Sequence, residues 1–139
     1  MAQAQTLKYS TFLIQIGSGS PVVYASPCGL NSKGFARTAN TNDTNVPDCD
    51  DPDAPSWLER DVVSLSGQMT GSGVVADEDF DVWNDWFESG ASKPVQIKLG
   101  TRIWQGNAIL SKLDVTANRG QRVNFSATID SDGEITKIA

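Results

Sequence analysis

The chain is expected to be mainly β: an antiparallel β-sandwich or split barrel with one flanking α-helix and one long inter-strand loop. Three observations predict it. Apolar and polar residues alternate with period two in several separate stretches. One stretch alone carries apolar residues at helical spacing. Turn-forming residues are abundant, with 12 glycines among 139 residues, as many short strands and turns require.

The strands follow in chain order. Phe12, Ile14 and Ile16 alternate with Leu13 and Gln15, and residues 22–25 form a further short strand. Val63, Leu65 and Met69 share a face, with Ser64, Ser66, Gln68 and Thr70 opposite. Val95, Ile97 and Leu99 alternate with Gln96 and Lys98. Residues 102–116 are strand-like, with a bulge expected near Gly106. Val123, Phe125, Ala127 and Ile129 alternate with Arg122, Asn124, Ser126 and Thr128. Turns at Asn118-Arg119-Gly120 and Asp132-Gly133 would make 102–116, 121–130 and 134–138 a meander. One apolar and one polar face per strand is the pattern of half-buried antiparallel sheets.

Residues 77–89 break that pattern. Phe80, Trp83 and Phe87 fall at i, i+3 and i+7, a helical stripe. Asp77 is the expected cap, the acids of the first turn suit the positive end of the helix dipole, and Gly90 suits the position after the last turn. Trp83 and Trp86 read as the buried seam of a helix lying on a sheet. Asp81 and Asp85 read as solvated surface rather than as an acid/base pair.

Residues 38–56 carry three prolines and one large apolar residue, Val46. No element is expected there, and loops of this length in a compact domain are usually functional or disordered. Asp48, Asp50 and Glu59 fall at positions 1, 3 and 12 of an EF-hand loop, but Pro52 and Asp53 occupy positions 5 and 6, where a calcium loop needs a ligand and a glycine. No metal site is expected.

Composition excludes several chemistries. There is no histidine, so neither a Ser-His-Asp nor a Cys-His site can be built within the chain. Two cysteines, Cys28 and Cys49, cannot complete a zinc site alone. They are read as free thiols, or as an internal or intersubunit bridge. No cofactor motif is present: Gly17-Ser-Gly-Ser-Pro lacks the residues of a phosphate loop, and Gly71-Ser-Gly is followed by six acids that would repel phosphate. The expectation is a protein that is not an enzyme. The first ten residues lack an apolar run or cleavage pattern, so the chain is expected to be kept in a cytoplasm or released by lysis, without crossing a membrane.

Charge is segregated. The formal net charge is −6, which disfavours general nucleic-acid binding. Segment 43–61 nets −6 through Asp43, Asp48, Asp50, Asp51, Asp53, Glu59 and Asp61 against Arg60. Segment 77–88 nets −6 through Asp77, Glu78, Asp79, Asp81, Asp85 and Glu88, leaving +6 on the remainder. Such a chain is complementary to copies of itself.

The segments Ser64-Leu-Ser-Gly-Gln-Met-Thr-Gly-Ser-Gly and Asp79-Phe-Asp-Val-Trp-Asn-Asp-Trp-Phe-Glu-Ser-Gly, followed by Val95-Gln-Ile, resemble the tail tube (major tail) proteins of long-tailed bacteriophages and gene transfer agents. The likeness extends over the whole chain in element order. It implies a single domain whose copies form stacked hexameric rings, a tube through whose acidic lumen DNA passes without specific binding. It implies a place in the virion tail after assembly in the host cytoplasm. It also implies partners at the tail tip or baseplate, a tail terminator and a tape measure protein. Carried onto this sequence, residues 38–60 are the stacking loop, with arms at 1–10 and 133–139. Asp43, Asp48, Asp50, Asp51, Asp53, Trp57, Glu59 and Arg60 are then the candidate intersubunit residues. A carbohydrate-binding sandwich, with Trp57 and Trp104 as stacking platforms, is the alternative from another class; a carboxylate glycosidase is a weaker one, because no cleft is visible.

Overall fold

The computed structural model describes residues 3–139; Met1 and Ala2, the start of the expected N-terminal arm, lie outside the described residues. Seven strands form one antiparallel sheet in the order β2-β1-β5-β6-β7-β4-β3. The strands are β1 (Phe12–Ser18), β2 (Val23–Ala25), β3 (Leu30–Asn45), β4 (Leu58–Val74), β5 (Lys93–Leu99), β6 (Arg102–Thr116) and β7 (Asn124–Lys137), with helix α1 (Asp77–Ser89) between β4 and β5. The sheet is not closed. It curls nonetheless, because β3 at one end comes back to β1 near the other. The Lys33 ammonium donates to the Phe12 carbonyl at 3.0 Å, and the Tyr9 hydroxyl donates to the Leu30 carbonyl. The result is the expected mainly β, sandwich-like fold with a flanking helix.

The core lies inside the curl and under the helix. Ile14, Ile16, Met69, Val95, Ile97, Trp104, Leu110, Phe125, Ala127 and Ile129 are buried there together with Trp83 and Trp86 of α1. The alternating strands thus put their apolar faces on one side, as period two demands. The helix stripe is not quite the expected one. Trp83 and Trp86 are buried, whereas Phe87 is 45% exposed. A helix of 3.6 residues per turn can present either i, i+3, i+6 or i, i+3, i+7. Here the first is used, because the Trp86 indole N–H finds the Ala91 carbonyl at 2.9 Å and its ring lies under the Lys93 ammonium. Trp83 packs on Phe125 of β7, with ring centroids 5.8 Å apart. The N-cap is Ala76, not Asp77, and its side chain offers no cap. Asp77, Glu78 and Asp79 instead occupy the first turn, and Gly90 closes the helix in the left-handed region at φ 64°.

Three expectations are corrected. First, residues 38–45 and 58–60 of the expected loop are strand. They pair as the outer half of a long β3–β4 hairpin, with Thr38 opposite Ser66 and Asn45 opposite Leu58, so the loop itself is only 46–57. Second, Asp132-Gly133 is not a hairpin turn. Ser131 pairs with Ala108 and Ile135 with Gly106, so residues 132–134 are a bulge within one continuous strand. Gly133 at φ 101° accommodates a bulge as readily as a turn. Third, residues 133–139 are therefore no free arm. Lys137 pairs with Trp104, and Ile138 N–H donates to the Ile103 carbonyl at 2.8 Å. Among the described residues no helix is long and apolar enough to cross a membrane.

Where the base of β3 passes β4, a methyl group at Gly73 would meet the Gly29 carbonyl oxygen at 2.0 Å and the Asn31 nitrogen at 2.7 Å. Both obstacles are backbone, which cannot swing aside. Gly73→Ala is expected to cost at least about 2 kcal/mol through overpacking, read as a lowered urea midpoint; an unchanged midpoint would show that the two strands can separate freely there.

Candidate assembly surface

The β3–β4 hairpin is the outstanding feature of the surface. β4 pairs with β7 only from Gln68 to Val74, so the hairpin beyond Gly67 stands clear of the sheet. From Gly67 to Leu58 it projects about 30 Å, at roughly 3.3 Å per residue. Strand alternation gives it two chemically distinct faces. One carries Thr38, Asn40, Asn42 and Thr44 opposite Ser66, Ser64, Asp61 and Glu59, and is polar throughout. The Asn40 side-chain amide donates to the Ser64 hydroxyl on this face at 2.9 Å.

The other face continues the core outward. Phe35 pairs with Met69, Arg37 with Gly67, Ala39 with Leu65, and Thr41 with Val62 past an irregularity that leaves Val63 unpaired. Val62, Val63 and Leu65 are 61%, 69% and 77% exposed. Leu58 at the far end is also exposed. The β4 side of this face is apolar from Met69 out to Val62, and the face then carries the Asp43–Arg60 ion pair before Leu58. An exposed apolar strip continuous with a core is the kind of surface at which proteins associate.

At the root of the strip lies a recess of 590 Å³ lined by Phe35, Arg37, Ala39, Leu65, Gly67 and Ile135, with the β7 bulge at Gly133 and Glu134 on its far wall. Gly67 keeps it open, since a Cβ there would meet Ile135 at 3.0 Å. The Arg37 guanidinium lies 5.5 Å from the Phe35 ring and 5.3 Å from the Trp104 ring. The ion pairs among the described residues are Arg60–Asp43 and Lys112–Asp114, so Arg37 faces the recess with its charge unpaired.

The residues expected to meet another subunit are only partly available for it. Asp43 and Arg60 sit opposite each other on the hairpin and bond to one another at 3.2 Å. Asp48, Asp50, Asp51 and Asp53 crowd the 46–57 loop, where Asp48 caps the Asp50 N–H at 2.9 Å and Ala54 N–H turns back to the Asp51 carbonyl at 3.1 Å. Ser56 donates to the Asn45 side chain across the loop's neck. Trp57 stands at that neck, 92% exposed, and Glu59 lies on the polar face. The sequence reasoning missed Arg37, Leu58 and Val62. A signal existed: once 58–66 is a strand, Leu58, Val62 and Leu65 mark one face only when the irregularity at Val63 is included.

The carbohydrate platform is not built. Trp104 is buried and packs tilted on Phe35, while Trp57 is at the far end of the hairpin.

Cys28 and Cys49 are free and exposed. Cys28 lies just before the root of β3 and Cys49 in the tip loop, so the hairpin's length separates them by about 50 Å and excludes an internal bridge. The Cys28 backbone N–H donates to the Asp79 carboxylate at 2.8 Å. A hydrogen bond from the thiol to that carboxylate, reinforced by its negative charge, raises the Cys28 pKa above the ordinary thiol value. Less thiolate is then present at neutral pH, and the thiolate is the reactive form. Asp79→Asn should therefore speed alkylation of Cys28 at pH 7–8, followed by mass spectrometry; a slower or equal rate would show that Asp79 does not control the thiol.

An open curled sheet with a projecting two-faced hairpin and a recess at its root defines a β module with an exposed apolar surface. The family model of the phage tail tube proteins matches residues 6–137: the chain belongs to the phage tail tube protein family. Its fold is similar to that of a protein in the helically refined, C6-symmetric tail of an empty gene transfer agent particle, at TM-score 0.83 and 18% identity over 96% of this chain and 100% of the other. It is also similar to the SPP1 tail tube, at TM-score 0.64 and 10% identity over 95% of this chain and 78% of the other. A third match is the sheath/tube terminator structure of an extracellular contractile injection system, at TM-score 0.67 and 16% identity over 99% and 100%. No curated protein matches the chain in sequence.

Proposed function

We propose that the chain is the structural subunit of a tail tube: six copies close laterally into a ring, rings stack into a hollow tube, and DNA passes through the lumen to the host. The observation that carries this is the apolar strip of the β3–β4 hairpin, continuous with the core yet exposed on a single copy. Ring closure would cover the unpaired edge of β4 beyond Gly67, an edge that invites non-specific pairing if left open. A lateral contact that closes and an axial contact that does not together give stacked rings. The sixfold symmetry of the similar gene transfer agent tail supports six as the ring number. The acids of the 46–57 loop would meet Lys and Arg of an adjacent ring, setting register and association rate and weakening in salt. An acidic lumen would let DNA slide without adhering.

The tube would sit in the virion tail, built in the host cytoplasm around a tape measure protein, between a tail-tip or baseplate complex and a terminator. The role calls for no chemistry, in keeping with a chain that has no histidine. The deciding experiment is negative-stain microscopy with sedimentation of the concentrated protein, with and without a tail-tip nucleus. Sixfold rings or tubes are expected. Monomer at every concentration and salt, even with the nucleus supplied, would refute the proposal.

A further inference from the structure

Resting on that tube assignment, we infer that the recess at the root of the hairpin receives Trp57 of a second copy, so that each subunit carries both the knob and the hole of the axial contact. Three features point to this pairing. Among the described residues Trp57 is the most exposed large apolar side chain, at 92%, whereas Trp83, Trp86 and Trp104 are buried. An indole that buries about 150–250 Å² on contact does not belong in water without a partner. The recess, at 590 Å³, has room for one ring, and its apolar walls, Phe35, Leu65 and Ile135, are those an indole requires. Arg37, already stacked on Phe35 and Trp104, can extend the same cation–π arrangement to an incoming ring.

Charge agrees with shape. Trp57 is flanked by Asp53 and Glu59. The recess offers Arg37, and Lys137 follows Ile135 on the same strand face opposite Trp104; Glu134 is the one opposing carboxylate on its wall. Geometry also decides which copy is involved. Trp57 stands about 30 Å along the hairpin from the recess of its own chain, so it cannot fill it. A knob and a hole at separate places on one molecule make a head-to-tail contact, which closes into a ring if its rotation allows and otherwise propagates as a fibre. We assign it to the axial direction, ring to ring, because Trp57 sits at the far end of a hairpin that projects about 30 Å beyond the part of the sheet where β4 pairs with β7.

The test uses full-length protein. Because the other three tryptophans are buried, iodide quenching of the unassembled wild type should remove the emission of Trp57, and assembly into tubes should abolish that quenchable fraction. Trp57→Ala should raise the critical concentration for tubes at least tenfold, Trp57→Phe should restore most of it, and Arg37→Glu should resemble Trp57→Ala. To locate the ring, Trp57→Cys is combined with Ala39→Cys on the recess wall, in a Cys28→Ser, Cys49→Ser background. Oxidised tubes should give a ladder that continues past six linked chains, and unassembled protein should give monomer. A ladder that stops at six would place the contact within one ring and overturn the axial pairing. Wild-type protein that never forms rings or tubes overturns the tube assignment and this pairing with it. Tubes in which Trp57 stays quenchable, or double-cysteine tubes that give no ladder, overturn the pairing alone.

Discussion

Trp83→Ala is expected to lower the unfolding free energy by about 3–5 kcal/mol. The side chain is 4% exposed and joins α1 to the sheet through Phe125 at 5.8 Å and to its helical neighbour Trp86 at 6.2 Å. Removing it leaves a cavity between the helix and the sheet, which two packed layers cannot easily collapse to fill. Only Trp86 is buried beside it in the helix, and the outer face carries Asp77, Glu78, Asp81, Asp85 and Glu88 without a single base. Asp81→Ala on that face should stay within about 0.5 kcal/mol of wild type. Urea denaturation followed by circular dichroism decides the matter. Equal midpoints for the two variants would mean that the helix does not rest on its tryptophans.

The parts of the fold that were legible in the sequence are those where one face is buried and the other wet. Ile14 and Ile16, Val95 and Ile97, and Phe125, Ala127 and Ile129 announce their strands because the core selects every second side chain. The bulge at Gly106 was legible for a related reason: a Cβ there would strike the Glu134 carbonyl at 2.7 Å, so only glycine lets the β7 bulge cross β6 so closely. The outer half of the hairpin was not legible, because burial supplies no pattern there. Thr38, Asn40, Asn42 and Thr44 face water on one side, and Ala39, Thr41 and Asp43 face water on the other in a single copy. What holds them is the backbone ladder to β4, which is blind to side-chain polarity. The β-branched threonines were the one local hint. The candidate surface suffered in the same way. The acids of 43–61 were visible as charge, but the apolar strip beside them was hidden by the irregularity at Val63, which shifts the face by one residue midway.

The strip is where substitution should separate folding from assembly. Val62→Thr together with Leu65→Thr places β-branched residues, which suit a strand, at both positions and removes apolar surface from the hairpin's core-side face. Both positions are largely exposed in a single copy, so the melting temperature of the monomer should scarcely move, with a stability change within about 1 kcal/mol. In a tube the same side chains would be covered. Burial of a Val or Leu is worth about 1.5–3 kcal/mol each, so losing two per contact amounts to about 3–6 kcal/mol. At 1.36 kcal/mol per decade that is a hundredfold or greater rise in the concentration needed for assembly. Pelleting assays across a concentration series would measure it, beside thermal melts of the unassembled protein. Two results would contradict the assignment in different ways. A collapse of the monomer's melting temperature would mean that the strip already belongs to the core of a single copy. Tubes at an unchanged critical concentration would mean that the strip stays in water even after assembly, and the contact that builds the tube would have to lie on the open sheet or on the acidic face of α1.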